Sequence, residues 1–536
     1  MSDTKSLPTD RKQLLDSLAG GNPYDVIVIG GGATGLGVAL DAVLRGLSVA
    51  LLESHDFAKG TSSRATKLVH GGVRYLAQGN IGLVTQALHE RAAILHNAPH
   101  LAGALPFVVP AYRFWEGPYY GAGLKMYDVL AGSASLGKTQ LLGAAATRRC
   151  LPGVNSRHLK GGILYWDAQF DDARLALALA RTAAAQGAML LNYTPVTQLL
   201  YDNGRIAGVA CHDAESGQQF QLHAKCVINA TGVWVDGLRE HDARCAGREA
   251  NSVVMPSQGI HLVVDRDFLP ADHALLAPST RDGRVLFAVP WLGKLVLGTT
   301  DTPTPDISYE PRPLAEEVNF ILAEAANYLA RPPTRADVKS IWAGLRPLVK
   351  PSEDKTDHLA TRRISREHTV LISPTGLVTV TGGKWTTYRV MAEDVLEKSA
   401  AAGLIAPARL GASRTARFRL LGAPPVEAVR PNRLWQQPGL AAYGTEQGAV
   451  QALPGADVRL AMGLTEAMVR FAARHEYART VEDVLARRSR LLFLDAILAE
   501  SVASRVAQIL HEEIDADSKL PDFLDLARRY RCIPDG

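Results

Sequence analysis

The chain has 536 residues, 47% hydrophobic and 21% charged, with a formal net charge of +4. Length alone suggests about three to four domain-sized units, with apolar residues for more than one core. The mild charge gives no ground for nucleic-acid binding; it suits a small anionic substrate or an anionic membrane surface equally. Cys150, Cys211, Cys226, Cys245 and Cys532 form no C-x-x-C pair and no metal spacing. That points to a reducing compartment, with neither a disulfide framework nor a metal site. No run approaches the ~20 apolar residues that span a bilayer. The first residues lack the apolar core of a secretory signal and the Arg- and Ser-rich character of a transit peptide. The expectation is a soluble or monotopic protein.

Residues 1–23 read as a polar leader with a short helix, Arg11–Leu18, ended by Gly20-Gly21. Tyr24–Glu53 follows as YDVIVIGGGATGLGVALDAVLRGLSVALLE. Val26–Ile29 has the length of a buried parallel strand, and Gly30, Gly32 and Gly35 stand in G-x-G-x-x-G spacing. A small-residue helix is predicted from Ala33 to Arg45, then a second strand, Leu47–Leu52, ending at Glu53. Each part has a physical task. Gly30 makes the tight turn, Gly32 admits a pyrophosphate to the backbone, and Gly35 lets helix and strand pack closely. The helix N-terminus offers amides and a positive dipole end. Glu53 stands where an acid accepts the ribose hydroxyl, which disfavours NADP and leaves FAD or NAD.

Phe57–Leu76, FAKGTSSRATKLVHGGVRYL, is rich in hydroxyls and glycine, with a strand-like Lys67–Val69 before His70-Gly71-Gly72. Such a segment suits the second half of a bulky cofactor. Gln86–Leu95 has helical composition. From Pro106 to Gly162 the βαβ rhythm lapses into an aromatic, Gly- and Pro-rich insertion. Within it Tyr112–Leu130, YRFWEGPYYGAGLKMYDVL, sets six aromatics beside Arg113 and Lys125, a mixture suited to lipid headgroups or to a buried aromatic cover.

The rhythm resumes with a helix over Asp172–Gln186. Strands Asn192–Leu200 and Ile206–Cys211 flank the turn Asp202-Asn203-Gly204, and Val227–Asn229 feeds Ala230-Thr231-Gly232. Between 259 and 374 the pattern gives strands His261–Val264, Arg284–Val289 and Lys294–Gly298 and a helix near Leu314–Leu329. Val378–Thr381 enters Gly382-Gly383 and a helix to Ser399, a return to the cofactor domain. A Gly/Pro/Ala-rich linker runs from Ala400 to Pro454. Thr480 with Asp483 is a capping-box signal for the helical end of the chain.

These motifs, in this order, resemble the FAD-dependent glycerol-3-phosphate dehydrogenases. The glycine fingerprint and DFAKGTSSRATKLVHGGVRYL are joined by YWDAQFDDARL (Tyr165–Leu175), NATGVW (Asn229–Trp234), GTTD (Gly298–Asp301) and GLRPL (Gly344–Leu348). GGKWTTYR (Gly382–Arg389) and HEYARTVEDVLARRSRLLFLDA (His475–Ala496) complete the match, which spans roughly residues 24–520. The resemblance implies an α/β fold: a Rossmann-like FAD-binding domain, an antiparallel-sheet substrate domain and a C-terminal helical domain. The expected division is 24–105, 163–258 and 375–400 for FAD binding, 106–162 and 259–374 for the substrate cap, and 401–536 for the linker and helical domain.

The implied activity is oxidation of sn-glycerol 3-phosphate to dihydroxyacetone phosphate, with hydride passing from C2 to flavin N5. Arg346 and Arg366 are the implied phosphate ligands, with Arg362 and Arg363 as rivals for Arg366; a guanidinium matches phosphate in a bidentate way. Lys384 is set at a strand-to-helix turn facing flavin or substrate, and Arg74 and Tyr75 resemble pocket residues. His261 matches a histidine near the flavin; whether it or another group is the general base stays open. The implied non-covalent FAD shell is Gly30, Gly32, Gly35, Glu53, Thr61, Ser62, Ser63, Lys67, His70, Gly71, Gly72, Val196, Thr231, Gly232 and Gly383.

Family members mostly reduce a membrane quinone, and relatives use oxygen, so an oxidase that makes peroxide is the alternative. An amine oxidase of the same two-domain plan fits the cation cluster less well, and a non-catalytic flavoprotein would have no use for it. Peripheral attachment at the cytoplasmic face of a bacterial inner membrane is the expected location, since transit-like and calcium-loop features of mitochondrial members are missing from the sequence. The C-terminal helices are candidates for a homodimer contact or for a cap on the core.

Overall fold

The computed structural model describes residues 9–76, 79–280, 283–350 and 367–535, with the side chains of Arg74 and Tyr75 outside that description. Two sheets organise the chain. In the first, strands Tyr24–Ile29 and Val49–Leu52 lie parallel, flanked by Met189–Leu191 on one side. Gln219–Asn229 and Leu377–Gly382 lie on the other. Every residue of Val49–Leu52 is buried, as expected of a parallel strand covered on both faces. The helix Ala33–Leu44 packs on this sheet beside Asp172–Ala185 and Tyr388–Ala401. His368–Ile372 closes the edge antiparallel to Leu377–Gly382. Val196–Asp202 and Arg205–His212 form a hairpin at Asn203-Gly204, both at positive φ, as a tight two-residue turn requires.

The second sheet has ten strands and is antiparallel except where Ala274–Ala277 runs beside Ala102–Ala111. Its long members are Ala102–Ala111 paired with Gly161–Phe170, and Val254–Asp265 paired with Ser340–Val349. The expected domain limits shift accordingly. The limit at 162/163 falls inside Gly161–Phe170, that at 105/106 inside Ala102–Ala111, and that at 258/259 inside Val254–Asp265. His368–Ile372 belongs to the cofactor sheet, so the return begins before 375.

The C-terminal part is helical: Glu466–His475, Ala496–Glu513 and Leu520–Arg531 about a π-helical turn, Asp483–Arg488. Thr480 and Asp483 cap reciprocally, with Asp483 N–H donating to Oγ1 of Thr480 (3.2 Å) and Thr480 N–H donating to Oδ2 of Asp483 (3.0 Å). Its apolar core is continuous with Trp291 and Trp342 of the ten-stranded sheet, so these helices cap that sheet. Asp56 of the cofactor domain, fully buried, is gripped by Arg487 and Arg488 together. No described helix is long and apolar enough to cross a membrane.

Candidate functional site

The glycine turn is built by close approach. Gly30 has φ +111°, and a Cβ there would meet the Ala230 carbonyl oxygen at 2.7 Å. A Cβ on Gly35 would lie 2.0 Å from the Gly30 carbonyl oxygen, so helix and turn touch backbone to backbone. Gly32 caps the helix in an extended conformation, and the Ala33 amide donates to Oγ of Ser62 at 2.9 Å. Glu53 is held by the Gly31 amide (2.7 Å), the His55 amide (2.8 Å) and the Ser54 hydroxyl (3.1 Å). Burial raises its pKa against the opposing pull of those donors.

A cavity of about 560 Å³ opens between the two sheets. Its lining brings Glu53, Ser54, Val196 and Trp234 together with Gly30, Gly32, Thr61, Ser62, Thr231 and Gly232, and with His70, His261, Arg346, Gly383 and Lys384. The fit to FAD rests on this arrangement. Glycines give the backbone access a pyrophosphate needs, a helix N-terminus stands in the wall, and an acid marks the ribose end.

Several expected shell residues lie elsewhere. Lys67 is fully buried outside the cavity, paired with Asp172 at 2.7 Å and packed over Trp342, Trp291 and Phe493. Its partner is 105 residues away, so no local pattern reveals the pairing. Burial depresses the ammonium to about 7 although Asp172 opposes this. Ser63 is buried, its hydroxyl turned to the Gly60 carbonyl (3.4 Å). Gly71 faces Tyr127, whose hydroxyl accepts its amide at 2.8 Å, and neither Gly71 nor Gly72 lines the cavity. Gly35 acts through packing and is not in the wall. Arg366, Arg362 and Arg363 and the side chains of Arg74 and Tyr75 lie outside the described residues.

The antiparallel strands contribute the rest of the lining. His261 and Arg346 sit on the paired strands Val254–Asp265 and Ser340–Val349. Two glycines make room for them. A Cβ on Gly298 would strike the His261 ring at 2.4 Å, and one on Gly259 would strike the Arg346 guanidinium at 2.3 Å. Arg346 donates to Asp301 (3.3 Å) and Thr299 (3.2 Å), which orient its fork. His261 stacks on Trp342, with ring centroids 4.1 Å apart, and its Nε2 lies 3.0 Å from the Thr66 hydroxyl. Its Nδ1 has no hydrogen-bond partner among the described residues. Burial first, then Lys67 and Arg346, push its pKa well below the ordinary 6.5, so the imidazole is neutral. Lys384 precedes a 3₁₀ turn, Trp385–Thr387, so the helix Tyr388–Ala401 begins one turn later than the glycine pair suggested.

The sequence reading passed over Lys59, Arg64, Thr66, Trp234, Tyr309 and Trp385, all in the lining. Trp234 and Trp385 lie inside quoted motifs and were within reach; Tyr309 lies in an irregular segment with no pattern. Among the described residues no cluster of metal-ligating side chains is present.

A family profile described as FAD dependent oxidoreductase matches residues 25–389, and one described as the C-terminal domain of alpha-glycerophosphate oxidase matches 413–520. The mitochondrial glycerol-3-phosphate dehydrogenase of Homo sapiens is 41% identical, covering 98% of this chain and 75% of its own. That of Arabidopsis thaliana is 39% identical over 95% of this chain and 86% of its own. Among solved structures, the glycerol-3-phosphate dehydrogenase of Bacillus halodurans complexed with FAD superposes with a TM-score of 0.74 at 29% identity, covering 98% of this chain and 99% of that one. The FAD-bound L-alpha-glycerophosphate oxidase of Mycoplasma pneumoniae, at 16% identity and TM-score 0.55 over 77% of this chain and 98% of that one, shares the fold.

Proposed function

Since this chain belongs to the FAD-dependent glycerol-3-phosphate dehydrogenase family, we propose that it oxidises sn-glycerol 3-phosphate to dihydroxyacetone phosphate and delivers the electrons to a membrane quinone. The observation that carries the substrate assignment is that Arg346, His261 and Lys384 line the same cavity as the dinucleotide turn. FAD, when bound, supplies the hydride acceptor. Arg346, oriented by Asp301, binds the phosphate. His261, held neutral, accepts the C2 hydroxyl proton as the C2 hydride leaves, so the substrate gives up one proton and one hydride, with its electron pair, as the carbonyl forms. Lys384 adds positive charge where negative charge develops.

The quinone reading draws support from the helix Glu116–Ala131. Trp115, Tyr119, Ala122, Met126 and Val129 recur at helical spacing along an exposed stripe, with Phe114 86% exposed just before it. Leu124, Tyr127 and Ala131 occupy the opposite, buried face. Exposed Arg113, just before the helix, and Lys125, one turn from Ala122 and Val129, border the apolar stripe. An apolar face rimmed by cations suits the headgroup region of an anionic membrane. The anaerobic test adds sn-glycerol 3-phosphate to the holoenzyme and follows bleaching of oxidised flavin. Arg346→Ala should raise the half-saturating concentration about a hundredfold by losing charge-assisted bonds. A flavin that stays oxidised refutes the substrate; stoichiometric peroxide on aerobic turnover, without quinone reduction, refutes the acceptor.

A further inference from the structure

The segment after Thr302–Pro303 leaves the ten-stranded sheet and crosses to the cofactor domain, where its contacts converge on the ribose end of the cavity. Pro305, Asp306, Ile307 and Ser308 are exposed and have little packing of their own. Its two ends are tied to the ten-stranded sheet, the Thr304 amide donating to the Pro256 carbonyl (3.1 Å) and the Gln258 side-chain amide donating to the Arg312 carbonyl (3.0 Å), and its middle is held on the cofactor side. The Trp234 indole N–H donates to the Ile307 carbonyl at 2.8 Å. The Tyr309 ring lies 4.3 Å from the Trp234 ring, nearly parallel to it, and 4.2 Å from His55. Tyr309 and Trp234 both line the cavity alongside Glu53 and Ser54.

Glu310, the next residue, is a junction. Its carboxylate meets Arg64 at 2.6 Å and Lys59 at 2.9 Å, both of which line the cavity, and accepts the Tyr530 hydroxyl at 3.1 Å. Tyr530 is on the last helix of the C-terminal domain. Lys59 also pairs with Glu482, immediately before the π-helical turn. The ordinary expectation for such ion pairs at a surface is a small contribution. Here burial alone would raise the Glu310 carboxyl, yet Arg64 and Lys59 hold it below its ordinary value, so the junction is charged.

We propose that residues 304–314 form a strap over the adenosine end of the FAD cavity, that Tyr309 and Glu310 latch it, and that the C-terminal domain sets the latch through Tyr530 and Glu482. The latch gates entry and exit of the cofactor and gives the helical domain a role in retaining it. The inference rests on FAD binding alone and is independent of substrate and acceptor. A closed strap must open for FAD to pass in either direction, so weakening the latch speeds release and rebinding together. Loss of an ordinary cofactor contact would speed release only.

The test measures FAD release from diluted holoenzyme by the recovery of flavin fluorescence, and rebinding by its quenching, in wild type, Glu310→Gln, Tyr309→Ala and Tyr530→Phe. Glu310→Gln and Tyr309→Ala should release FAD roughly tenfold faster and rebind it several-fold faster, and Tyr530→Phe, which removes one hydrogen bond, should give a smaller rise in both rates, about threefold. Release within twofold of wild type in both Glu310→Gln and Tyr309→Ala overturns the strap. Faster release with unchanged or slower rebinding overturns the gate. Wild-type rates in Tyr530→Phe overturn the part assigned to the C-terminal domain.

Discussion

Gly35→Ala tests the geometry of the dinucleotide turn directly. The added Cβ would lie 2.0 Å from the Gly30 carbonyl oxygen, where real Cβ contacts do not fall under 3.0 Å. The obstacle is backbone, so no side-chain rotation relieves it. The helix Ala33–Leu44 must retreat by about 1 Å, and Gly32, Ala33 and Thr34 in the cavity wall go with it. Overpacking of this kind costs up to about 3 kcal/mol, and the better helix propensity of alanine returns about 1 kcal/mol. A net loss of about 2 kcal/mol should lower Tm by roughly 4–8 °C. Displaced amides should also weaken FAD binding by at least about tenfold, since each phosphate contact is charge-assisted. Flavin titration and thermal unfolding of the purified protein measure both. Gly82→Ala is the control: Gly82 is exposed in the helix Ile81–Asn97 with no atom within 4 Å of its Cβ position. It should be neutral or stabilising by up to about 1 kcal/mol. A Gly35→Ala protein with wild-type Tm and FAD affinity would refute the close-packing argument.

The His261 pKa lies below the ordinary 6.5, so the acid limb of the flavin-bleaching rate attributable to it should fall well below that pH; a limb at about 6.5 that the His261→Asn substitution abolishes would contradict the assignment of a neutral base. The same depression makes the unfolded chain the better proton acceptor, so His261 lowers stability as pH falls through 6.5, an effect His261→Asn should remove in pH-dependent denaturation. Asp56→Asn leaves Arg487 and Arg488 without their shared carboxylate and should cost about 3–5 kcal/mol, read as earlier unfolding of the C-terminal helices in denaturant. The folded pKa of Asp56 is below 3.8 because the two arginines overcome its burial, so its contribution is complete above that pH and fades as pH falls through the folded value. Replacing Trp115 and Val129 together by Ser should reduce cosedimentation with anionic vesicles by at least about tenfold, given the apolar area each presents; unchanged binding would remove this helix from the membrane contact.

The sequence by itself determined whatever depends on neighbours along the chain. The glycine fingerprint with its acid, the Asn203-Gly204 hairpin and the Thr480–Asp483 cap follow from backbone sterics and hydrogen bonds over a few residues, and the structure has each of them. The motifs also named Arg346, His261, Lys384 and Gly383, which line one cavity. Only the tertiary structure decided which way ambiguous residues turn. Lys67 sits in a segment that reads as cofactor cradle, yet burial makes a distant carboxylate its best partner, and Asp172 supplies it from another helix. The insertion at 106–162 was assigned to the substrate cap from the sequence, but its limits were not legible, because the pairing of Ala102–Ala111 with Gly161–Phe170 that carries the sheet across both of them is a long-range choice that periodicity does not encode. Tyr309 and Glu310 had no motif at all. Their place over the ribose end comes from ring stacking and charge pairing across domains, interactions that exist only once the chain has brought those surfaces together.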